Sequence, residues 1–293
     1  MKKFLIIIPI YNDWDSVHEL VVRINNEIKS TIHKISIIII NDSSNQKNNF
    51  ELIPANKIQS VKILNLSQNI GHCKAIASTL KYIDDNMNYD YVIPMDGDGE
   101  DRPEEILDFI KIIDSADETV EIVTANRIKR SEGIVFRICY QLHKFITFLL
   151  VGKMVRFGNY SCLSKKAVQK LISDSSIWVS YSGAVIKNFS NIKSIQSSRG
   201  KRYFGPSKMN FFKLIKHSLS IPAVFKESVL FKSAFLVLIF ALASYYYSSY
   251  FLIACLIIWI FMLYIFFLSK DDNIKNLDNS SQNIKSLTDW PKI

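Results

Sequence analysis

Short apolar runs rich in β-branched residues recur along the first half of the chain. They are FLIIIPI (4–10), ISIIII (35–40), VKILNL (61–66), YVIPM (91–95) and VEIVTA (120–125). The runs are continuous rather than alternating, as expected of strands buried on both faces of a mainly parallel sheet. Between them, 14–30, 72–86 and 104–114 read as helices, the last introduced by Pro103 and two glutamates. Strands separated by helices predict an α/β, nucleotide-binding type of domain over residues 1 to about 200. In such sheets ligands bind beyond the carboxyl ends of the strands. Asp42 and Asp96–Asp98 each follow a strand directly, so they are expected on one edge.

A different pattern begins at residue 234. AFLVLIFALASYYYSSYFLIACLIIWIFMLYIFFL (234–268) is apolar on every face. As a single helix it would be about 50 Å long, against a hydrocarbon core of about 30 Å. Two spans, 229–247 and 250–268, turning at Ser248–Ser249, fit better. Lys232 can snorkel, and Tyr245–Tyr247, Tyr250 and Trp259 suit interfacial positions. Upstream, Phe211, Ile215 and Leu219 share one helical stripe, with Lys208, Lys213 and Lys216 largely off it. That predicts a basic amphipathic helix within 205–226, lying in the membrane interface or packed on its own domain. Residues 269–293 form a polar tail, expected to be loosely ordered.

Charge sharpens this organisation. The formal charge of +9 is local: no Asp or Glu occurs from Ser175 to Lys226, a stretch holding nine Lys and Arg. Such a band beside apolar spans suits a phosphate-bearing partner at a membrane surface, and disfavours nucleic acid. With Lys270 after the second span, it puts both ends of the hairpin in the cytoplasm, as part of a multi-pass inner (cytoplasmic) membrane protein. The N-terminal MKKFLIII stops at Pro9, too short for a signal peptide, and reads as a strand. Cys73, Cys139, Cys162 and Cys255 show no metal-ligand spacing and read as reduced thiols.

MDGDGEDRPE (95–104) carries the chemistry. Asp96, Asp98 and Glu100 alternate at a strand end and so project to one side if extended. Gly97 and Gly99 allow a tight turn and a close ligand. All-oxygen ligands suit Mg²⁺ or Mn²⁺, which take few protein carboxylates and complete their shell with substrate phosphates.

PIYND (9–13), IIIINDSS (37–44), NIGHCKAI (69–76), MDGDGEDRPEEI (95–106), NRIKRSEGIVFR (126–137) and RYFGPSKM (202–209) occur in the order seen in family 2 glycosyltransferases. The sequence most resembles the branch holding dolichyl-phosphate mannose synthase and the bacterial polyprenyl-phosphate glycosyltransferases. The resemblance covers about 4–225 and implies a GT-A (Rossmann-like) catalytic domain over 1–204, followed by the transmembrane hairpin. It further implies inverting transfer from a nucleotide-sugar. Pro9, Tyr11 and Asn12 match the motif bordering the nucleotide. Asn41 and Asp42 match an Asp-Asp pair that reads the base, with Asn first here. Asn69 and Gly71 match the loop beside base and ribose. Asp96, Asp98 and Glu100 match the metal motif, where Glu100 replaces the usual Gln. Arg127, Arg130, Arg137 and Arg202 match basic positions near the donor diphosphate or acceptor phosphate, and Ser207 and Lys208 follow that last arginine.

Sugar-to-sugar members of the superfamily often carry an acidic base downstream, and 155–173 contains no acid. A lipid phosphate is already an anion and needs no base, so the pattern favours a polyprenyl-phosphate acceptor, with Asp101 held as a candidate base. Two rival readings stand beside it: transfer to a lipid-linked glycan in surface polysaccharide assembly, and a membrane-anchored nucleotide-sugar-binding scaffold. Contacts between spans of neighbouring copies are left open.

Overall fold

The computed structural model describes residues 1–49, 55–115, 120–129, 145, 147–206 and 211–291. Arg130, Arg137, Ser207, Lys208 and Cys139 lie outside them.

Eight strands form one sheet in the order β7-β5-β6-β4-β1-β2-β3-β8. They are β1 (Lys3–Ile10), β2 (Lys34–Asn41), β3 (Ser60–Leu66), β4 (Tyr91–Pro94), β5 (Ile122–Lys129), β6 (Ser161–Ser164), β7 (Lys193–Ser198) and β8 (Ile284–Asp289). β6 and β8 run antiparallel to their neighbours, and the other pairings are parallel. β1 shows why the apolar runs are continuous. Phe4, Ile6, Ile8 and Ile10 enter the layer under α1 (Trp14–Glu27), while Leu5 and Ile7 enter the opposite layer under α2 (His72–Asn86). Both faces are covered, so both parities must be apolar.

α3 (Glu105–Ser115) packs on the α1 side through Ile106, Phe109, Ile110 and Ile113. α4 (Lys165–Ile172) and α5 (Tyr181–Asn188) pack on the α2 side. α6 (Phe211–Val224) lies within 205–226, with Lys213 and Lys216 exposed. Its Leu219 and Ala223 pack with Leu150, Val229 and Ile265, so its C-terminal half rests on the protein's own helices.

Two long apolar helices follow, α7 (Lys226–Tyr246) and α8 (Phe251–Leu268), paired along their length. Their outer faces are bare: Phe231, Leu238, Leu242, Leu252, Ile257 and Phe266 are all exposed. Lys232 Nζ donates to the carbonyls of Leu149 and Leu150 at 2.9 and 3.0 Å, which ties the start of α7 to the helical segment 147–151.

The tail is not loose. After the short helix α9 (Ile274–Asp278) it returns as β8, antiparallel to β3, and ends on Trp290, 3% exposed against Trp14 and His18. Low hydrophobicity hides this strand from periodicity, because β8 is held by pairing with β3 more than by its own side chains. At the base of the hairpin, Asp272 accepts from Lys226 Nζ (3.0 Å) and Ser175 Oγ (2.6 Å), and Lys74 pairs with Asp271 at 2.7 Å. The sheet domain therefore holds both ends of the apolar hairpin, and the chain beyond 268 returns to it as β8.

Candidate active site

The ends of β1, β2, β3 and β4 meet at one edge. Asn12, just past β1, has φ 52°, a left-handed conformation that Asn tolerates. Its Oδ1 accepts from the backbone N–H groups of Asn45 and Gln46, both at 3.0 Å, and its own N–H donates to Ser44 Oγ. Pro9 is buried in the strand, and Tyr11 lies exposed at the mouth.

Asp42 is 4% exposed, and its two oxygens accept from the N–H groups of Ile70 (2.9 Å) and Gly71 (3.0 Å). Burial raises its pKa, and the two amides partly offset the rise. This carboxylate clamps the 69–71 loop, which presents Asn69 at the surface and opens α2 through Gly71 at φ 86°. Asn41 Nδ2 donates to Asn65 Oδ1 at 2.8 Å.

The acidic loop lies alongside. Asp101, 3% exposed, accepts from the Asp96 N–H at 2.9 Å and from Arg127 Nη2 at 3.4 Å. Burial and the Asp96 charge push its pKa up to about 7, against the pull of Arg127. Asp98 Oδ1 accepts from the Glu100 N–H, and Asp98 Oδ2 accepts from Arg202 Nη1 at 2.5 Å. Burial and Asp96 raise Asp98 to about 6. Asp96 Oδ1 sits 2.9 Å from His72 Nε2. Burial would raise Asp96, but His72, Arg127 and Arg199 hold it below the ordinary range. Glu100 is taken by Arg199.

A second segment is zipped onto this loop. The Gly200 N–H donates to the Glu100 carbonyl (2.8 Å) and the Tyr203 N–H to the Asp98 carbonyl (3.0 Å). A Cβ at Gly99 would lie 2.5 Å from the Tyr203 ring, and one at Gly97 would lie 2.8 Å from Ile10. These glycines make room for neighbours already present.

The edge thus brings together Pro9, Tyr11, Asn12, Asn41, Asp42, Asn69, Gly71, Asp96, Asp98, Glu100, Asp101, Arg127 and Arg202. Asp96, Asp98 and Glu100 share one short loop, and among the described residues no three acidic, histidine or cysteine side chains converge on a point. Each carboxylate has its own basic partner instead. Asp96 and Asp98 still fit a divalent cation chemically, being oxygen ligands whose mutual repulsion raises Asp98, and one or two carboxylates are what Mg²⁺ takes. Glu100 is paired with Arg199 in this arrangement. Asp13 and His72, which lie inside the quoted motifs 9–13 and 69–76 without an assigned ligand role, and Asn159 and Arg199, which no motif marks, are at the same edge. Asn159 Nδ2 lies 3.3 Å from His72 Nε2, and Arg202 Nη2 donates to Asp13 at 2.7 Å.

Residues 5–163 match the family model described as glycosyl transferase family 2, and the chain belongs to that family. Solved structures of glucosyl-3-phosphoglycerate synthase from Mycobacterium tuberculosis share its fold. The complex with Mn²⁺, UDP-glucose and phosphoglyceric acid is 14% identical, with a TM-score of 0.55 over 78% of this chain and 80% of that one. The complex with Mn²⁺, UDP and glucosyl-3-phosphoglycerate gives 13% and 0.56 over the same shares. The Mg²⁺ and UDP complex gives 13% and 0.55, over 78% and 79%. The protein is accordingly a nucleotide-sugar glycosyltransferase with a GT-A domain, followed by two long apolar helices.

Proposed function

We propose that this glycosyltransferase moves a sugar, with inversion, from its nucleotide-sugar donor to a polyprenyl phosphate at the cytoplasmic face of a membrane. The observation that carries the reading is the clamp at the base of the hairpin, where Asp272 holds Lys226 and Ser175. At ~1.5 Å per residue, α7 and α8 are about 32 and 27 Å long, close to a hydrocarbon core of about 30 Å. With both ends held by the catalytic domain, a spanning hairpin keeps that domain against the bilayer, where a lipid head group is delivered.

In this mechanism an acceptor phosphate oxygen attacks the anomeric carbon. The carbon–oxygen bond to the nucleotide diphosphate breaks, and its electron pair leaves with the diphosphate. A divalent cation held by Asp98 and Asp96 would supply charge stabilisation to that leaving group. Arg202 and Arg127 add fixed positive charge beside it. The nucleophile is an anion and brings no proton to remove. Asp101 suits a positioning role rather than that of base, since its buried oxygens already hold the Asp96 amide and Arg127.

The test is a panel of labelled UDP-, GDP- and TDP-sugars given to the membrane-bound enzyme with Mn²⁺ and extracted membrane lipid. Label in an acid-labile lipid phosphate ester supports the reading. Label found only in an acid-stable lipid-linked glycan points instead to sugar-to-sugar transfer. Asp98→Ala retaining full transfer would sink the cation assignment.

A further inference from the structure

β8 is the last strand of the sheet, and it does more than cover an edge. Asn41, Asn65 and Ser286 occupy mutually paired positions at the ends of β2, β3 and β8. Their side chains form a row: Ser44 N–H donates to Asn41 Oδ1 (2.9 Å), Asn41 Nδ2 to Asn65 Oδ1 (2.8 Å), and Asn65 Nδ2 to Ser286 Oγ (3.2 Å). A carboxamide engaged at both ends is held in one orientation, so each member fixes the donor and acceptor its neighbour presents. Immediately beyond, the pairing is irregular between Asn65 and Leu66, and the Ser67 N–H donates to the Asn283 carbonyl at 2.8 Å. That bond anchors the start of the loop carrying Asn69, whose far end Asp42 clamps at Ile70 and Gly71. The row and the loop are thus both set from residues 283–286.

We infer that β8 is a working part of the nucleotide site, with Ser286 a positioning residue that orients Asn65, and through it Asn41, toward the donor's base. The inference rests on reading these strand ends as the place where the base is recognised. Bases present donors and acceptors on the same edge, and a carboxamide of fixed orientation tells one such pattern from another. A strand that merely protected the edge of β3 would need no inward polar contact. Its Lys285, Thr288 and Asp289 are exposed and suffice for that.

The test is binding of UDP, GDP and TDP, with Mn²⁺, to the full chain in detergent micelles. It compares wild type with Ser286→Ala, Ser286→Thr, Asn65→Ala, Asn41→Ala and, as a packing control, Leu287→Ala. Losing the Ser286 hydrogen bond should weaken the preferred nucleotide about three- to tenfold. It should also narrow the gap to the other two, and Ser286→Thr should restore both. Leu287→Ala should lower the Tm without changing the order or spacing of affinities. Ser286→Ala that weakens all three nucleotides equally, or lowers only the Tm, overturns the inference and leaves β8 a structural strand. If Asn65→Ala and Asn41→Ala also leave every affinity unchanged, the base-site reading itself fails and takes the inference with it.

Discussion

One guanidinium, that of Arg202, joins Asp98 on the acidic loop (2.5 Å) to Asp13 at the start of α1 (2.7 Å). All three side chains are largely buried. The bridge links positions 104 and 189 residues away in sequence, so it fixes the acidic loop against the turn between β1 and α1. Removing it takes the shared guanidinium away from two largely screened carboxylates at once, which loosens the acidic loop. Arg202→Ala should lose at least a hundredfold in kcat/KM for the donor. Arg202→Lys keeps the charge but cannot reach both partners as a fork, and should still lose about tenfold. Steady-state donor turnover measures both, and wild-type activity in Arg202→Lys would show that the fork is dispensable.

Gly99 lies under the Tyr203 ring at φ 88°. Gly99→Ala therefore meets both a backbone penalty and a ring 2.5 Å from the new methyl, and should lower stability by about 2 kcal/mol or more. Tyr203→Ala removes the obstacle but not the backbone penalty. The double variant should then be more stable than the two single losses predict, a non-additivity that urea unfolding can measure. Strict additivity would mean the ring is not the obstacle.

Asp101 gives a pH dependence whose sign can be worked out. Its folded pKa of about 7 lies above the ordinary Asp value of about 3.9. Between those values the folded state binds more protons than the unfolded one, so its contribution to stability falls as pH rises. Asp98, at about 6, acts in the same direction. Asp96 is depressed, so its contribution is present above its ordinary value and lost as pH falls toward its folded one. Tm measured from pH 4.5 to 8 should therefore decline more steeply in wild type than in Asp101→Asn. Parallel curves would remove Asp101 from the titration.

A spanning hairpin makes a prediction of sidedness. In sealed vesicles of a cysteine-free background, a thiol at Ser249 should react with an impermeant reagent only from the face opposite the catalytic domain. A thiol at Ser281 should react only from the domain's own face. Labelling of both positions from one side would mean that α7 and α8 lie along the membrane or against the protein instead of crossing it.

Much of the fold is legible in local sequence. β1 and β2 announce themselves as isoleucine runs, and 72–86 is a helix over the residues its pattern marks. β6 is four residues long, β7 reads KSIQSS and β8 reads IKSLTD. None has enough apolar periodicity to stand out, because pairing with a neighbouring strand supplies what their side chains do not. The site divides in the same way. The glycines and acids of 95–101 are contiguous and visible, and Arg202 is visible beside them by motif. Their pairings are not, because Arg199 with Glu100 and Arg202 with Asp13 are formed by the fold across long separations. Extended geometry puts Asp96, Asp98 and Glu100 on one side, and the fold adds what a local pattern does not contain, a turn at Gly99 and the Arg199–Tyr203 segment zipped onto the loop.

The place of β8 in the chain has a consequence for biogenesis. Synthesis runs from the N-terminus, so the strand that closes the β3 edge emerges only after both apolar helices have been made. Until then β3 is an unpaired edge, open to the wrong partner. Trp14 and Asn65 likewise lack their neighbours Trp290 and Ser286. Order of translation thereby makes the hairpin a checkpoint: a ribosome must deliver both apolar helices before the last strand of the sheet can be added.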